Sequence, residues 1–152
     1  MPYTAPYQWR NPYPAPCHID IPSFDLYNDD SLRAEIRLIQ RWLSTRGVYL
    51  SEYGNENAAD ALPEVPVDTF MQRLDADQVS FDLITEVRGA IPLIALLREF
   101  GVHGPHGSYS LKHKLEKFMS AQYCSNGACV IAVLLAGGSV MVSNDVNLRL
   151  RF

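Results

Sequence analysis

The chain has 152 residues, of which 47% are hydrophobic and 20% charged, and this composition is typical of a single globular domain with its own core. Its net charge of −4 is uneven, because residues 1–104 carry 8 Lys and Arg against 15 Asp and Glu, whereas residues 105–152 carry 5 against 2. Overall acidity argues against indiscriminate phosphate binding, and no run approaches the ~18 apolar residues that span a bilayer. Three cysteines, and an N-terminus without the basic start and apolar run of a signal peptide, predict free thiols and an intracellular protein.

Residues 1–27 are predicted to form an extended arm. Five prolines within the first 16 residues forbid a helix there. The aromatic residues of these first 16 positions, of types that are favoured at interfaces, are Tyr3, Tyr7, Trp9 and Tyr13. We expect this arm to contact its own domain or a neighbouring subunit, and a disordered terminus is the alternative.

Residues 28–152 are predicted to form one helical domain. A helix over 31–46 is indicated by apolar residues at helical spacing, which are Leu32, Ile36, Ile39 and Leu43. We expect a short strand over 48–53, a surface loop over 54–66 and a short helix over 67–74 to follow.

A second helical stretch covers residues 78–100. Gly89 and Pro92 interrupt it, so we expect either a kink or two helices. Apolar residues cover most of the circumference around and after Pro92, namely Ile91, Leu93, Ile94, Leu96, Leu97 and Phe100. Because a helix that is apolar nearly all round is usually buried, this second half is predicted to be the spine of the fold.

The C-terminal part, residues 78–152, is predicted to be winged-helix-like. After a glycine-rich loop over 101–107, Ser110 is placed to cap a helix through Met119, and Ser125 to cap a helix through Ala136.

Two strands over 140–142 and 146–152, joined by a turn over 143–145, complete this subregion as a hairpin. The expected fold class is therefore mainly α, with a compact helical domain, a helix-turn-helix-like pair, a small C-terminal β-hairpin and the extended arm.

The second helix of the predicted pair is poorly suited to reading DNA. In a winged helix it would present Arg, Lys, Asn or Gln to the bases, but here Asn126 is followed only by small and apolar residues. Direct base reading is therefore disfavoured. Weak phosphate contact remains an alternative, through cations expected on the solvent sides of a helix and a strand, which are Lys112, Lys114, Lys117, Arg149 and Arg151.

Four residues with the spacing H-x2-H-x17-C-x4-C form a weak zinc candidate, namely His103, His106, Cys124 and Cys129. The C-x4-C spacing is looser than a usual zinc knuckle and Cys129 is expected inside a buried helix, so we predict no metal. The chain has no phosphate loop or dinucleotide fingerprint, and no nucleophile has an orienting partner. We predict no catalytic residues, no cofactor and no enzymatic activity.

The segments SYSLKHKLE at 108–116 and YCSNGACVIAVLLAG at 123–137 resemble a family of uncharacterised phage and virus proteins. These share a Ser-Tyr-x-Leu-Lys-His-x-x-Glu block followed by Tyr-x-Ser-Asn-Gly. The matching positions that we interpret as a structural motif at a helix–helix corner are Ser108, Tyr109, Lys112, His113, Glu116, Ser125, Asn126 and Gly127. The resemblance implies a viral origin and brings no known activity.

The sequence therefore favours a non-enzymatic protein that binds other protein subunits, as a virion or assembly component in the host cytoplasm or the virion. A homo-oligomer or larger assembly is expected, with no membrane partner. A small nucleic-acid-binding protein with a degenerate winged helix is the alternative, and an inhibitor of a host factor is the third hypothesis.

Overall fold

A computed structural model describes residues 17, 19, 21, 23–51, 53–57, 79–119 and 122–152. The predicted aromatic arm residues (Tyr3, Tyr7, Trp9 and Tyr13) and the predicted helix over 67–74 lie outside these residues. The described helices are α1 (Asp29–Ser44), α2 (Phe81–Glu99), α3 (Ser108–Phe118) and α4 (Asn126–Leu135). The described strands are β1 (Leu50–Ser51), β2 (Gly54–Asn55), β3 (His106–Gly107), β4 (Ser139–Met141) and β5 (Arg149–Arg151). This part of the chain is α-rich, as predicted, and none of its helices is long and apolar enough to cross a membrane.

Helix α1 confirms the predicted amphipathic helix. Its buried face is formed by Leu32, Ile36, Ile39 and Leu43. The cap comes from Asn28, slightly earlier than the sequence indicated, because the Asn28 side chain accepts a hydrogen bond from the Ser31 amide at 2.9 Å.

The sequence predicted either a kink or two helices here; helix α2 runs unbroken through Pro92, so the division into two helices is wrong, and the kink stays a prediction. The predicted spine is also misplaced: Ile94 is buried, but Leu96 is 47% exposed and Phe100 76% exposed. One face of α2 packs against α4, while these two residues lie on the open side.

Helix α4 is the central element of the core. All ten of its residues are buried, and it packs against the other three described helices and against both sheets. It begins as predicted, because the Ser125 hydroxyl oxygen accepts a hydrogen bond from the Ala128 amide at 3.1 Å.

Strands β1 and β2 form a two-stranded antiparallel hairpin. The predicted short strand over 48–53 is thus confirmed, but only for Leu50–Ser51. The prediction of a surface loop from residue 54 is wrong at its start, since Gly54, Asn55 and Glu56 are buried. A Cβ at Gly54 would overlap the Val146 carbonyl oxygen, so only glycine allows this approach. The Asn55 amide donates to that same oxygen at 2.9 Å, which fastens the hairpin to the loop between β4 and β5.

The second sheet has three antiparallel strands in the order β3-β5-β4. Val140 pairs with Leu150, which confirms the predicted C-terminal hairpin, although the loop between its strands is longer than the predicted turn. Strand β3 lies where the sequence predicted only a loop, and it places α3 at the edge of this sheet. Helix α3 consequently starts at Ser108 with Gly107 before it, and Ser110 is not its cap.

The N-terminal segment joins the same core. Cys17 exchanges two backbone hydrogen bonds of 2.8 Å with Val140 along the free edge of β4. Apolar residues after it pack against the core, namely Ile19, Ile21, Phe24 and Leu26. The division at residue 27 stays a prediction, but these contacts link the described end of the predicted arm to the helical domain.

Candidate functional site

The corner between α3 and α4 is held by a charged pair one helical turn apart. Glu116 Oε2 accepts a hydrogen bond from the Cys124 amide at 3.2 Å, and Lys112 Nζ donates to the Cys124 carbonyl at 3.3 Å. Lys112 and Glu116 are themselves 3.5 Å apart. The predicted i, i+4 pair is thus present, and its two side chains hydrogen-bond the amide and the carbonyl of a single turn residue, Cys124.

Helix α2 also forms hydrogen bonds with the same turn. The Ser125 amide donates to Glu86 Oε1 at 2.6 Å, and Gln122 Nε2 donates to the Thr85 carbonyl at 3.1 Å. Glu86 was not predicted from the sequence, because 39 residues separate it from Ser125 and no local pattern links them. Two carboxylates therefore receive the successive amides of Cys124 and Ser125 ahead of α4.

The first residues of α4 contact the β1–β2 hairpin. Asn126 Nδ2 donates to the Tyr53 carbonyl at 3.0 Å and to Asn147 Oδ1 at 2.7 Å. At Gly127 a Cβ would overlap the Ser51 carbonyl oxygen, so glycine lets the hairpin lie directly on the helix. The Asn126 side-chain oxygen is buried and has no hydrogen-bond partner.

At the opposite end of α3, Ser108 hydrogen-bonds the backbone next to β5. Its amide donates to the Leu148 carbonyl at 2.8 Å, and its hydroxyl oxygen accepts from the Leu148 amide at 3.1 Å. All eight predicted motif positions have a contact within this corner or across it, as described above for Lys112, Glu116, Ser125, Asn126 and Gly127, here for Ser108 and below for Tyr109. For His113 the contact is with Glu116, at 3.1 Å from Nδ1 to Oε1.

Tyr109 and Tyr123 lie on either side of the buried ammonium group of Lys112. Lys112 Nζ is 4.6 Å from the centre of the Tyr123 ring and 5.9 Å from that of Tyr109. The Tyr109 ring also meets His113 edge-on, with ring centres 4.5 Å apart. Both tyrosines remain half exposed, so they form an aromatic surface above a paired cation.

Lys112 does not lie where the sequence predicted. It is only 6% exposed, whereas the helical pattern had placed it on the solvent side with the other cations. That placement is wrong, because the aliphatic stem and ammonium of Lys112 fill the space between α3 and the turn. The other four candidate phosphate contacts are exposed, as expected, and they are Lys114, Lys117, Arg149 and Arg151.

The weak zinc candidate is not assembled. His103 Nδ1 lies 2.7 Å from the Phe152 carbonyl oxygen, and His106 stacks on the Phe152 ring, whereas both C-terminal cysteines are buried in the helical core. Within the described part of the chain, no three His, Cys, Asp or Glu residues are grouped to hold a metal ion.

The pKa values of Cys124, Cys129 and His106 are shifted by their surroundings. Burial, with the nearby Glu86 and Glu116 carboxylates, raises the pKa of Cys124 to about 12, and burial raises the pKa of Cys129 well above its ordinary value. Burial, with the charge of Lys114, lowers the pKa of His106. Both thiols therefore stay protonated near neutral pH and are poor nucleophiles and poor metal ligands.

The turn between α3 and α4 is thus stabilised by buried polar contacts, and aromatic and cationic side chains are exposed on the outer side of α3 and of this turn. Comparisons of the chain with protein-family models, with curated proteins and with solved structures give no match.

Proposed function

We propose that this protein is a non-enzymatic interaction protein that has winged-helix connectivity but does not read DNA with its second helix. The order α2, β3, α3, α4, β4, β5 and the sheet order β3-β5-β4 support this connectivity, in which α3 and α4 are the helix-turn-helix pair and the loop over 142–148 is the wing.

The burial of α4 is the observation that carries the proposal. A winged helix reads bases with side chains on the exposed face of the second helix of the pair. In this chain α1 and the β1–β2 hairpin contact that helix, and every one of its residues is buried. A duplex would have to displace these elements and expose apolar surface to reach α4, at a cost of roughly 25 cal/mol per Å².

Exposed aromatic residues favour protein partners instead. Tyr27, Phe81 and Phe100 each have about two thirds or more of their surface exposed, and aromatic residues are enriched in the cores of protein interfaces. We therefore propose that the protein works as a subunit of an assembly that includes further copies of itself, such as a viral particle or its assembly intermediates.

The mass of the native protein tests this proposal. Light scattering after size-exclusion chromatography, over a hundredfold range of concentration, is expected to show a dimer or larger species. The double variant Leu96→Ser with Phe100→Ser, which changes the open side of α2, is expected to lower that mass. Arg41→Gln on the exposed part of α1 serves as the matched surface control. A monomer at every concentration would contradict the self-assembly.

A further inference from the structure

The outward face of α3 differs from the exposed surfaces of the other described helices. Its exposed residues are Tyr109, Ser110, His113, Lys114, Lys117 and Phe118. None of them is acidic, whereas α1 exposes Asp29 and Asp30, and α2 exposes Asp82 and Glu99. We call these six residues the α3 face.

The one acidic residue of α3, Glu116, contacts Lys112 and His113 but not the two lysines of this face, Lys114 and Lys117. Glu116 is directed into the corner, where it contacts Lys112 and accepts a hydrogen bond from the Cys124 amide. Its other oxygen meets His113 at 3.1 Å. The charges of Lys114 and Lys117 are therefore not offset by any carboxylate on the exposed side of their own helix.

Three aromatic rings accompany these cations. Tyr109 and Phe118 belong to the α3 face, and Tyr123 lies beside it; each ring is at least half exposed. Tyr109 and Tyr123 both contact Lys112, and Tyr109 also contacts His113, so these contacts favour the observed ring positions without a ligand. Exposed, prepositioned rings among lysines match a partner that offers both flat apolar surfaces and negative charge.

Single-stranded nucleic acid has both properties, because its unpaired bases can stack on the rings while its phosphates meet the lysines. A duplex keeps its bases stacked inside, and a peptide made of acidic residues alone has charge but no flat rings to stack. We propose that the α3 face, with Tyr123, binds single-stranded nucleic acid without sequence preference. Since α3 is ~16 Å long at 1.5 Å per residue, the site takes only a few nucleotides.

This inference does not rest on self-assembly or on the winged-helix connectivity. It also differs from the weak phosphate contact that the sequence left as an alternative, because it depends on aromatic residues and excludes the buried Lys112. The two proposals can consequently fail separately: a monomer can bind a single strand, and an assembly can lack this site.

Fluorescence anisotropy with labelled oligothymidylate and oligouridylate of 20 nucleotides tests the site, with a duplex of the same length as comparison. We expect the single strands to bind more tightly than the duplex. Tyr109→Ala and Phe118→Ala should each weaken that binding about 5- to 160-fold, the range that corresponds to loss of one base–aromatic stack. Lys114→Gln with Lys117→Gln should reduce the slope of log affinity against log salt by about 1.4, since each phosphate contact on a single strand contributes about 0.7.

Tyr27→Ala and Arg41→Gln are the matched controls, because they remove an exposed ring and an exposed cation outside the α3 face. Both are expected to leave binding unchanged, and all variants should melt like the native chain. Polyglutamate and anionic lipid vesicles serve as competing polyanions. The proposal is overturned if no single strand binds at 50 mM salt, if the aromatic variants bind normally, or if polyglutamate or vesicles compete as well as a single strand does.

Discussion

Lys112 sits beneath two tyrosine rings, with its ammonium group paired to Glu116 and bonded to the Cys124 carbonyl. Replacing it by methionine keeps most of the apolar stem, but it leaves the buried Cys124 carbonyl without its donor and removes the positive charge beside Glu116. We expect Lys112→Met to lower the free energy of unfolding by about 1–3 kcal/mol, the usual cost of unsatisfied buried polar groups. Urea denaturation measures this change.

Lys114→Met is the control for this variant, since Lys114 lies two residues further along α3 and is exposed. It should change the unfolding free energy by less than about 0.5 kcal/mol. Equal effects of the two substitutions would mean that the ammonium of Lys112 does not stabilise the corner.

The thiols of Cys124 and Cys129 are predicted to be unreactive in the native protein. Burial and two neighbouring carboxylates raise the pKa of Cys124 to about 12, so little thiolate exists at pH 8 to attack an alkylating agent. Cys17 is only half-buried. Iodoacetamide at pH 8 should thus add one group per native chain and three in denaturant, as counted by mass spectrometry.

The raised pKa of Cys124 also makes stability depend on pH at the alkaline end. The folded protein keeps the Cys124 proton to about pH 12, while the unfolded chain loses it near pH 9, so stability should fall as the pH rises above 9. Cys124→Ala should make this fall shallower.

Rapid labelling of both buried thiols at pH 8 without unfolding would contradict the predicted low reactivity and would show that the core opens locally.

The position of Lys112 also illustrates what the sequence could not show at this scale. Ser108, Leu111 and Leu115 define the buried side of α3, and Lys112 lies on the same side at four residues from Ser108. A lysine is normally placed in solvent, since its burial requires a partner. The i, i+4 spacing indicated one partner, Glu116, but the second is the Cys124 carbonyl, whose position depends on the fold of the turn and not on any spacing in the sequence.

At the scale of elements, local signals predicted the helices with capping residues and regular apolar spacing. Helix α1 and the start of α4 at Ser125 are the clearest cases. Helix α2 was harder, because its residues after Pro92 are as apolar as those of a buried helix, yet Leu96 and Phe100 are exposed. Which of two apolar helices occupies the centre depends on how many other elements pack on it. Strand β3 has two residues and leaves no period to detect.

The burial of α4 leads to a prediction for Ile131, which is 1% exposed in the middle of that helix. Ile131→Asp would place an unpaired carboxylate among apolar side chains, where it costs several kcal/mol and should prevent folding. Circular dichroism and solubility report this outcome.

Leu96→Asp is the comparison, because it makes the same kind of change on the open side of α2. We expect this variant to fold and to melt within a few degrees of the native protein. A folded Ile131→Asp protein would indicate that α4 is accessible, and it would restore the exposed reading helix of a DNA-binding winged helix.

For the whole molecule, the cations are distributed differently from what the sequence predicted. The basic C-terminal part that the sequence indicated contains two kinds of lysine, one buried in the corner and two exposed on the α3 face. Composition could show the excess of cations but not this separation, since it depends on which side of α3 meets the turn. The interface arm stays a prediction, because Tyr3, Tyr7, Trp9 and Tyr13 lie outside the described residues.

Two N-terminal deletions test how the arm relates to the domain. Removing residues 1–16 leaves the Cys17 pairing with Val140 and all described core contacts in place, so the melting temperature should hardly change. Removing residues 1–26 also deletes the backbone pairing on β4 and four apolar side chains that pack on the core, Ile19, Ile21, Phe24 and Leu26. Partial burial of each contributes roughly 1 kcal/mol, and the melting temperature should fall by more than about 5 °C. If the arm joins subunits, the shorter deletion should already lower the native mass. Outright unfolding after removal of residues 1–16, with the mass unchanged, would instead make the arm part of the core.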